Sequence, residues 1–121
     1  MYVLTLQGIG LLMIAELIKR TLIMVMIYMT FDIDKEMMGE NIANSAISLA
    51  ESINKEEGFI SKVWIHNLEK GKRGGVYIFD TLENAKAYAS MHALRVANVG
   101  GTNIEFAFFD INVPLSKINH G

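Results

Sequence analysis

The chain has 121 residues, 51% of them hydrophobic and 20% charged, with a formal net charge of −2 and no cysteine. That length corresponds to one domain, which buries roughly 65% of its unfolded surface, and the composition is that of a folded chain. The balanced charge excludes the basic stripe of a nucleic-acid binder, and the missing cysteines exclude disulfides, thiolate catalysis and cysteine metal sites.

Residues 1–21 stand apart. The first fifteen carry no charge, Glu16, Lys19 and Arg20 follow, and 21–31 is uncharged again. A membrane-spanning helix needs about 20 mainly apolar residues. Neither run reaches that, and joining them would bury three charges. A secretory signal would place its positive charges before the apolar run, not after it. No stable membrane insertion is expected, and a cytoplasmic location is. Residues 11–19 are helix-compatible but too evenly apolar for an amphipathic face. The reading is a hydrophobic extension over 1–21 and one domain over 22–121.

Within that domain, 22–32 reads as a first strand, a continuous apolar run expected to be buried on both faces. Met38, Ile42, Ala46, Leu49 and Ile53 then recur at spacings of three and four, predicting a helix over 38–55. Gly58 suits its left-handed cap. A second strand is predicted over 59–67. Alternation puts Phe59, Ser61, Val63 and Ile65 on one face and Ile60, Lys62, Trp64 and His66 on the other. Residues 68–74 read as a turn, with Lys70, Lys72 and Arg73 at a solvated hairpin tip. The third strand is 75–79. Asp80 and Glu83 have the spacing of a capping box for a second helix running to about 98, with Ala85, Tyr88, Ala89, His92 and Val96 as its apolar stripe. After Gly100 and Gly101 a fourth strand is predicted over 103–111, and Val113, Pro114 and Leu115 start a C-terminal arm.

The order βαββαβ is an α+β, ferredoxin-like split βαβ arrangement, an antiparallel sheet with two helices on one face. Two helices cover one side of such a sheet, yet both strand faces are apolar: Ile104, Phe106 and Phe108 alternate with Ala107, Phe109 and Ile111. Soluble monomers avoid a hydrophobic patch of that size. Two sheets meeting face to face in a two-fold homodimer would cover it.

Standard motifs for cofactor chemistry are missing. GKRGG lacks phosphate-loop spacing, Gly8 and Gly10 are too few for a dinucleotide fingerprint, and His66, His92 and His120 lack metal-ligand spacing. No cofactor and no metal is expected. What remains is a polar and aromatic set, each member with two readings. Trp64 is a core ring or a flat wall for an aromatic ligand. Tyr77 is a core ring with a wet hydroxyl or a hydrogen-bond donor. His92 is a satisfied structural histidine or a base. Arg95 is a surface or helix-end cation or an oxyanion partner. His66 is strand-face padding or a second base. On the second and third strands, Lys62, His66 and Tyr77 are the most site-like polar side chains. The eight methionines read as core filler.

The ordered set LAESIN, EGF, KVW, the glycine pair before a strand, AY, a helical His92 and Arg95, and NVPLSKIN resembles the YdhR family over roughly 24–119. That family carries the label of mono-oxygenase and has a ferredoxin-like, dimeric α/β-barrel fold. The resemblance implies a homodimer with a small aromatic or hydrophobic ligand. Trp64, Tyr77, His92 and Arg95 fall where the family pattern has Trp, Tyr, His and Arg; Tyr77, His92 and Arg95 are the candidate catalytic groups, and Trp64 and His66 the candidate substrate-binding ones. Some related barrels oxidise quinols or polycyclic phenols without flavin, haem or metal, by favouring a phenolate that reduces O₂ directly. The expectation is therefore a cofactor-independent mono-oxygenase acting on a quinol or polyphenol. The alternative is a non-catalytic dimeric binder of an aromatic molecule such as haem.

Overall fold

A computed structural model describes residues 10–11 and 24–121. Apart from Gly10 and Leu11, the hydrophobic extension expected over 1–21 falls outside the described residues. The elements are β1 (Val25–Asp32), α1 (Ile47–Ile53), β2 (Phe59–Asn67), β3 (Lys72–Phe79), α2 (Leu82–Asn98), β4 (Thr102–Asp110) and α3 (Val113–Ile118). The strands form one sheet in the order β2-β3-β1-β4, antiparallel throughout. This is the expected ferredoxin-like α+β fold.

β1 alternates strictly. Val25, Ile27, Met29 and Phe31 are buried under the helices, while Tyr28 on the other face is exposed. α2 presents Ala85, Tyr88, Ala89, His92 and Val96 to the sheet, the stripe that the helical spacing predicts. Phe59, Phe79, Tyr77 and Tyr88 complete the main core with the β1 side chains. Among the described residues, the opposite face of the sheet has no helix across it, and Tyr28, Val63 and Phe109 stand 46%, 61% and 51% exposed there.

Four local expectations are corrected. The helix predicted over 38–55 is α-helical only at Ile47–Ile53, preceded by 3₁₀ turns at Lys35–Met37 and Gly39–Ile42. Gly39 takes φ +56°, and Asn41, Asn44 and Ser45 are poor helix formers, so the apolar stripe lacked a backbone to carry it. The cap of α2 is Thr81, whose hydroxyl accepts from Asn84 N at 3.1 Å; Asp80 instead accepts from Asn84 Nδ2. β3 begins at Lys72, not residue 75, which draws Lys72 and Arg73 out of the turn and into the strand. Lys72 pairs with Asp32 at 2.7 Å.

The fourth correction is a bulge. The β2–β3 register shifts between Phe59 and Ser61. Ile60 is the extra residue, and it stands 47% exposed. Across strands, Phe59 opposes Phe79, Lys62 opposes Tyr77 and Trp64 opposes Gly75, so all three β2 side chains face the helices. Without the bulge, Phe59 and Trp64 would lie on opposite faces.

The glycine pair has two separate jobs. A Cβ on Gly74 would run into the Met29 carbonyl oxygen of the neighbouring strand. A Cβ on Gly75 would lie 2.8 Å from the Tyr77 ring and 2.9 Å from Lys62 Cε. Gly74 lets two backbones approach, and Gly75 leaves floor space for two side chains. Gly74→Ala should therefore cost on the order of 2 kcal/mol or more, because the obstructing atom is backbone. For a domain of this size that is a fall in Tm of roughly 10 °C, measurable by thermal denaturation. An unchanged Tm would show that β1 yields easily.

Candidate functional site

A cavity of about 310 Å³ lies between the helix-facing side of the sheet and α2. Its floor is β2 and β3, which contribute Lys62, Trp64, Arg73 and Tyr77. One wall is α2, through His92 and Arg95. The other is the 3₁₀ turn and α1, through apolar Ile42, Ala46 and Leu49. The strand period brings Arg73, Gly75 and Tyr77 to one face, and one helical turn separates His92 from Arg95.

Tyr77 is 1% exposed and lies in an aromatic cluster with Tyr88 and His92, its ring centroid 5.3 Å and 6.0 Å from theirs. Burial raises its hydroxyl well above the usual phenol range. The hydroxyl is therefore neutral. The Tyr88 hydroxyl is buried without a hydrogen-bond partner among the described residues. Such a group costs about 1–3 kcal/mol unless a ligand oxygen or water satisfies it.

His92 is 4% exposed and stacks on Tyr88, with centroids 5.2 Å apart and 21° between planes. Arg95 Nε and Nη2 approach its Nδ1 at 3.2 Å and 3.0 Å. A guanidinium only donates, so Nδ1 accepts and the neutral ring carries its proton on Nε2. Burial first, then Lys62, Arg95 and Arg73, lower its pKa to about 3. This geometry makes His92 a holder of Arg95. Arg95 is half-buried and lines the cavity, where helix-surface reasoning had placed a surface cation.

Lys62 lies flat across the floor. Its Nζ is 3.3 Å from the centroid of Trp64 and 4.6 Å from that of Tyr77. Burial first, then Arg73 and Arg95, bring its pKa down to about 7. Arg73 reaches over Phe31 and Trp64 at 6.0 Å and 5.6 Å, and its Nη1 donates to the Met37 carbonyl at 3.2 Å. Among the described residues, no carboxylate lines the cavity.

The structure thus gathers Trp64, Tyr77, His92 and Arg95 around one cavity. His66 is not among them. It lines a larger neighbouring groove of about 790 Å³ that shares Trp64 and Arg73 with the cavity. Lys62 and Arg73 also line the cavity: the sequence marks the first as site-like without a specific role and places the second at a solvent-exposed tip. Spacing could have found both: Lys62 is two residues from Trp64, and Arg73 is four from Tyr77.

Residues 26–121 match a family model described as putative mono-oxygenase ydhR. The chain belongs to the YdhR family. No curated protein sequence matches it. Solved structures share the fold of this YdhR protein. A putative antibiotic biosynthesis monooxygenase from Deinococcus radiodurans is 12% identical, with TM-score 0.55, over 73% of this chain and 92% of that one. A monooxygenase from Streptomyces coelicolor, in complex with nanaomycin D, is also 12% identical, with TM-score 0.55, over 75% and 89%. A haem degrader from Mycobacterium tuberculosis, with two haems in its active site, is 15% identical, with TM-score 0.53, over 73% and 95%. At these identities the likeness is one of fold. Among the described residues no helix is long and apolar enough to cross a membrane.

Proposed function

We propose that this YdhR protein is a cofactor-independent mono-oxygenase acting on an electron-rich phenol or quinol. The observation that carries the reading is the cavity itself: aromatic and aliphatic walls around a set of hydrogen-bond donors, with no carboxylate among the described lining residues. At about 310 Å³ it is at the small end of ligand pockets and suits a molecule of one or two rings.

The chemistry asks little of the protein. A phenolate is far easier to oxidise than its phenol, and preorganised donors stabilise the negative charge that passes to O₂. One oxygen atom enters the ring and the other leaves as water. The substrate becomes a quinone or hydroxyquinone and supplies all four electrons, so no external reductant is required. Trp64 forms the wall, Arg95 stabilises the oxyanion, His92 holds Arg95, and the Tyr77 hydroxyl donates to the bound substrate.

A haem-binding reading fits the cationic lining, which could pair with carboxylates. It fits His92 poorly as an iron ligand, because Arg95 holds Nδ1 and fixes the proton on Nε2. Oxygen uptake by metal-free protein with a panel of quinols and phenols separates the readings. The expected result is substrate-dependent uptake. Trp64→Ala should weaken binding roughly tenfold, the loss of one stacking partner, with kcat little changed. Tight ligand binding without uptake, or a Soret band on adding haem, would favour the binder.

A further inference from the structure

The cavity contains one more reactive group than the proposed reaction has so far used. Lys62 runs along the floor between two rings and over the one position, Gly75, that has no side chain to obstruct it. Its surroundings are unusual for a lysine. Arg73 and Tyr77 face it from β3, and His92 and Arg95 from α2. Glu51 of α1, itself exposed, lines a second groove that Lys62 and Trp64 also border. Among the described residues the Lys62 ammonium has no salt-bridge partner. An ammonium so placed lies beside two guanidinium groups, with no carboxylate among the described residues that line the cavity.

We propose that Lys62 takes the proton from the phenolic hydroxyl of the ligand, and that Lys62, Arg73 and Arg95 together select a molecule that binds as its anion. This rests on the mono-oxygenase reading for turnover, but its binding half stands without it. The balance is simple. The neutral amine and the phenol become an ammonium and a phenolate, with no proton released. A lone cation pair becomes a site holding three cations and one anion, which relieves the repulsion among them. In turnover the ammonium returns its proton to the oxygen atom that leaves as water, and the amine is regenerated. Lys62 is suited to this proton transfer, because burial and the two arginines bring it to about 7 and much of it is free amine at neutral pH. The other candidates are less able to act as the base. Tyr77 stays protonated, and the Nδ1 of His92 is occupied.

The test uses the full-length protein under nitrogen, so that oxidation cannot interfere. A phenol with a solution pKa above about 9, in the ordinary phenol range, is titrated with protein at pH 8, and its ionisation is read from the red-shifted phenolate absorption. Calorimetry in two buffers of different ionisation enthalpy counts any protons released. Wild type should bind the phenolate with almost no net proton release. Lys62→Met keeps an unbranched stem over Gly75 and should raise the pKa of the bound phenol by about one to three pH units, the effect of losing an adjacent cation. Lys62→Arg keeps the charge but cannot accept a proton, so it should release about one proton per phenolate bound. In air, Lys62→Met should lose about 10²-fold or more in oxygen uptake with this phenol. It should lose much less with a phenol already ionised at pH 8. The same bound-phenol pKa in Lys62→Met and wild type would overturn the proposal, as would no difference in proton release between Lys62→Arg and wild type. Phenolate binding without oxygen uptake would instead contradict the mono-oxygenase reading and leave Lys62 as the proton acceptor of a binding site.

Discussion

Arg95→Ala should lower kcat for phenol-dependent oxygen uptake about 10²- to 10³-fold, the usual cost of removing one oxyanion donor. His92 is expected to act through Arg95, and two substitutions distinguish that from a role as base. His92→Leu removes the acceptor that Arg95 uses and should approach the Arg95→Ala defect. His92→Gln can present an amide oxygen to the same guanidinium and should recover most of the activity. A base would not be rescued by glutamine, so equal loss in both variants would return His92 to proton transfer. Stability offers an independent readout. The folded pKa of His92 is about 3 against an ordinary 6.5. Between those values the unfolded chain binds a proton that the native state does not, so stability falls as pH drops through that window. His92→Leu should remove that part of the acid sensitivity, seen as a flatter Tm profile across the same window.

The second large effect concerns the sheet face that no described helix covers. We expect full-length protein to sediment as a dimer, with Tyr28, Val63 and Phe109 inside the contact. A charge at the centre of such an interface is left buried and unpaired. Phe109→Glu combined with Val63→Glu should weaken association roughly 10²-fold or more and give monomer at micromolar concentration. The cavity lies on the opposite, helix-covered side, so the monomeric variant should retain ligand binding. A wild-type chain that is monomeric and folded at those concentrations would remove the dimer from the account. Loss of binding on dissociation would place part of the site at the seam.

The order of strands and helices was legible because each rests on a long periodic signal. The stripe from Ala85 to Val96 and the alternation in β1 needed no tertiary information. Sequence reasoning went wrong where one residue changes the geometry. A single extra residue at Ile60 turned Phe59 to the same face as Trp64, and no periodicity count reveals a bulge. Gly39 and its polar neighbours broke a helix whose apolar spacing was intact. The site followed the same pattern. Trp64, Tyr77, His92 and Arg95 stood out as polar or aromatic groups in apolar elements, and the family resemblance placed the same types there. Arg73 was hidden by a turn drawn three residues too long. The charge environment of Lys62 was not legible, because repulsion and burial in a cavity depend on which side chains meet, and those come from three separate elements.

The most direct test of the central claim is a turnover under ¹⁸O₂. Protein stripped of metals is mixed with a phenol that wild type binds, and the product is analysed by mass spectrometry. The account predicts a quinone carrying one ¹⁸O atom per molecule, one O₂ consumed per product and no hydrogen peroxide, with Arg95→Ala and Lys62→Met both strongly impaired. A product without ¹⁸O, or oxygen consumption that ends in peroxide, would contradict it.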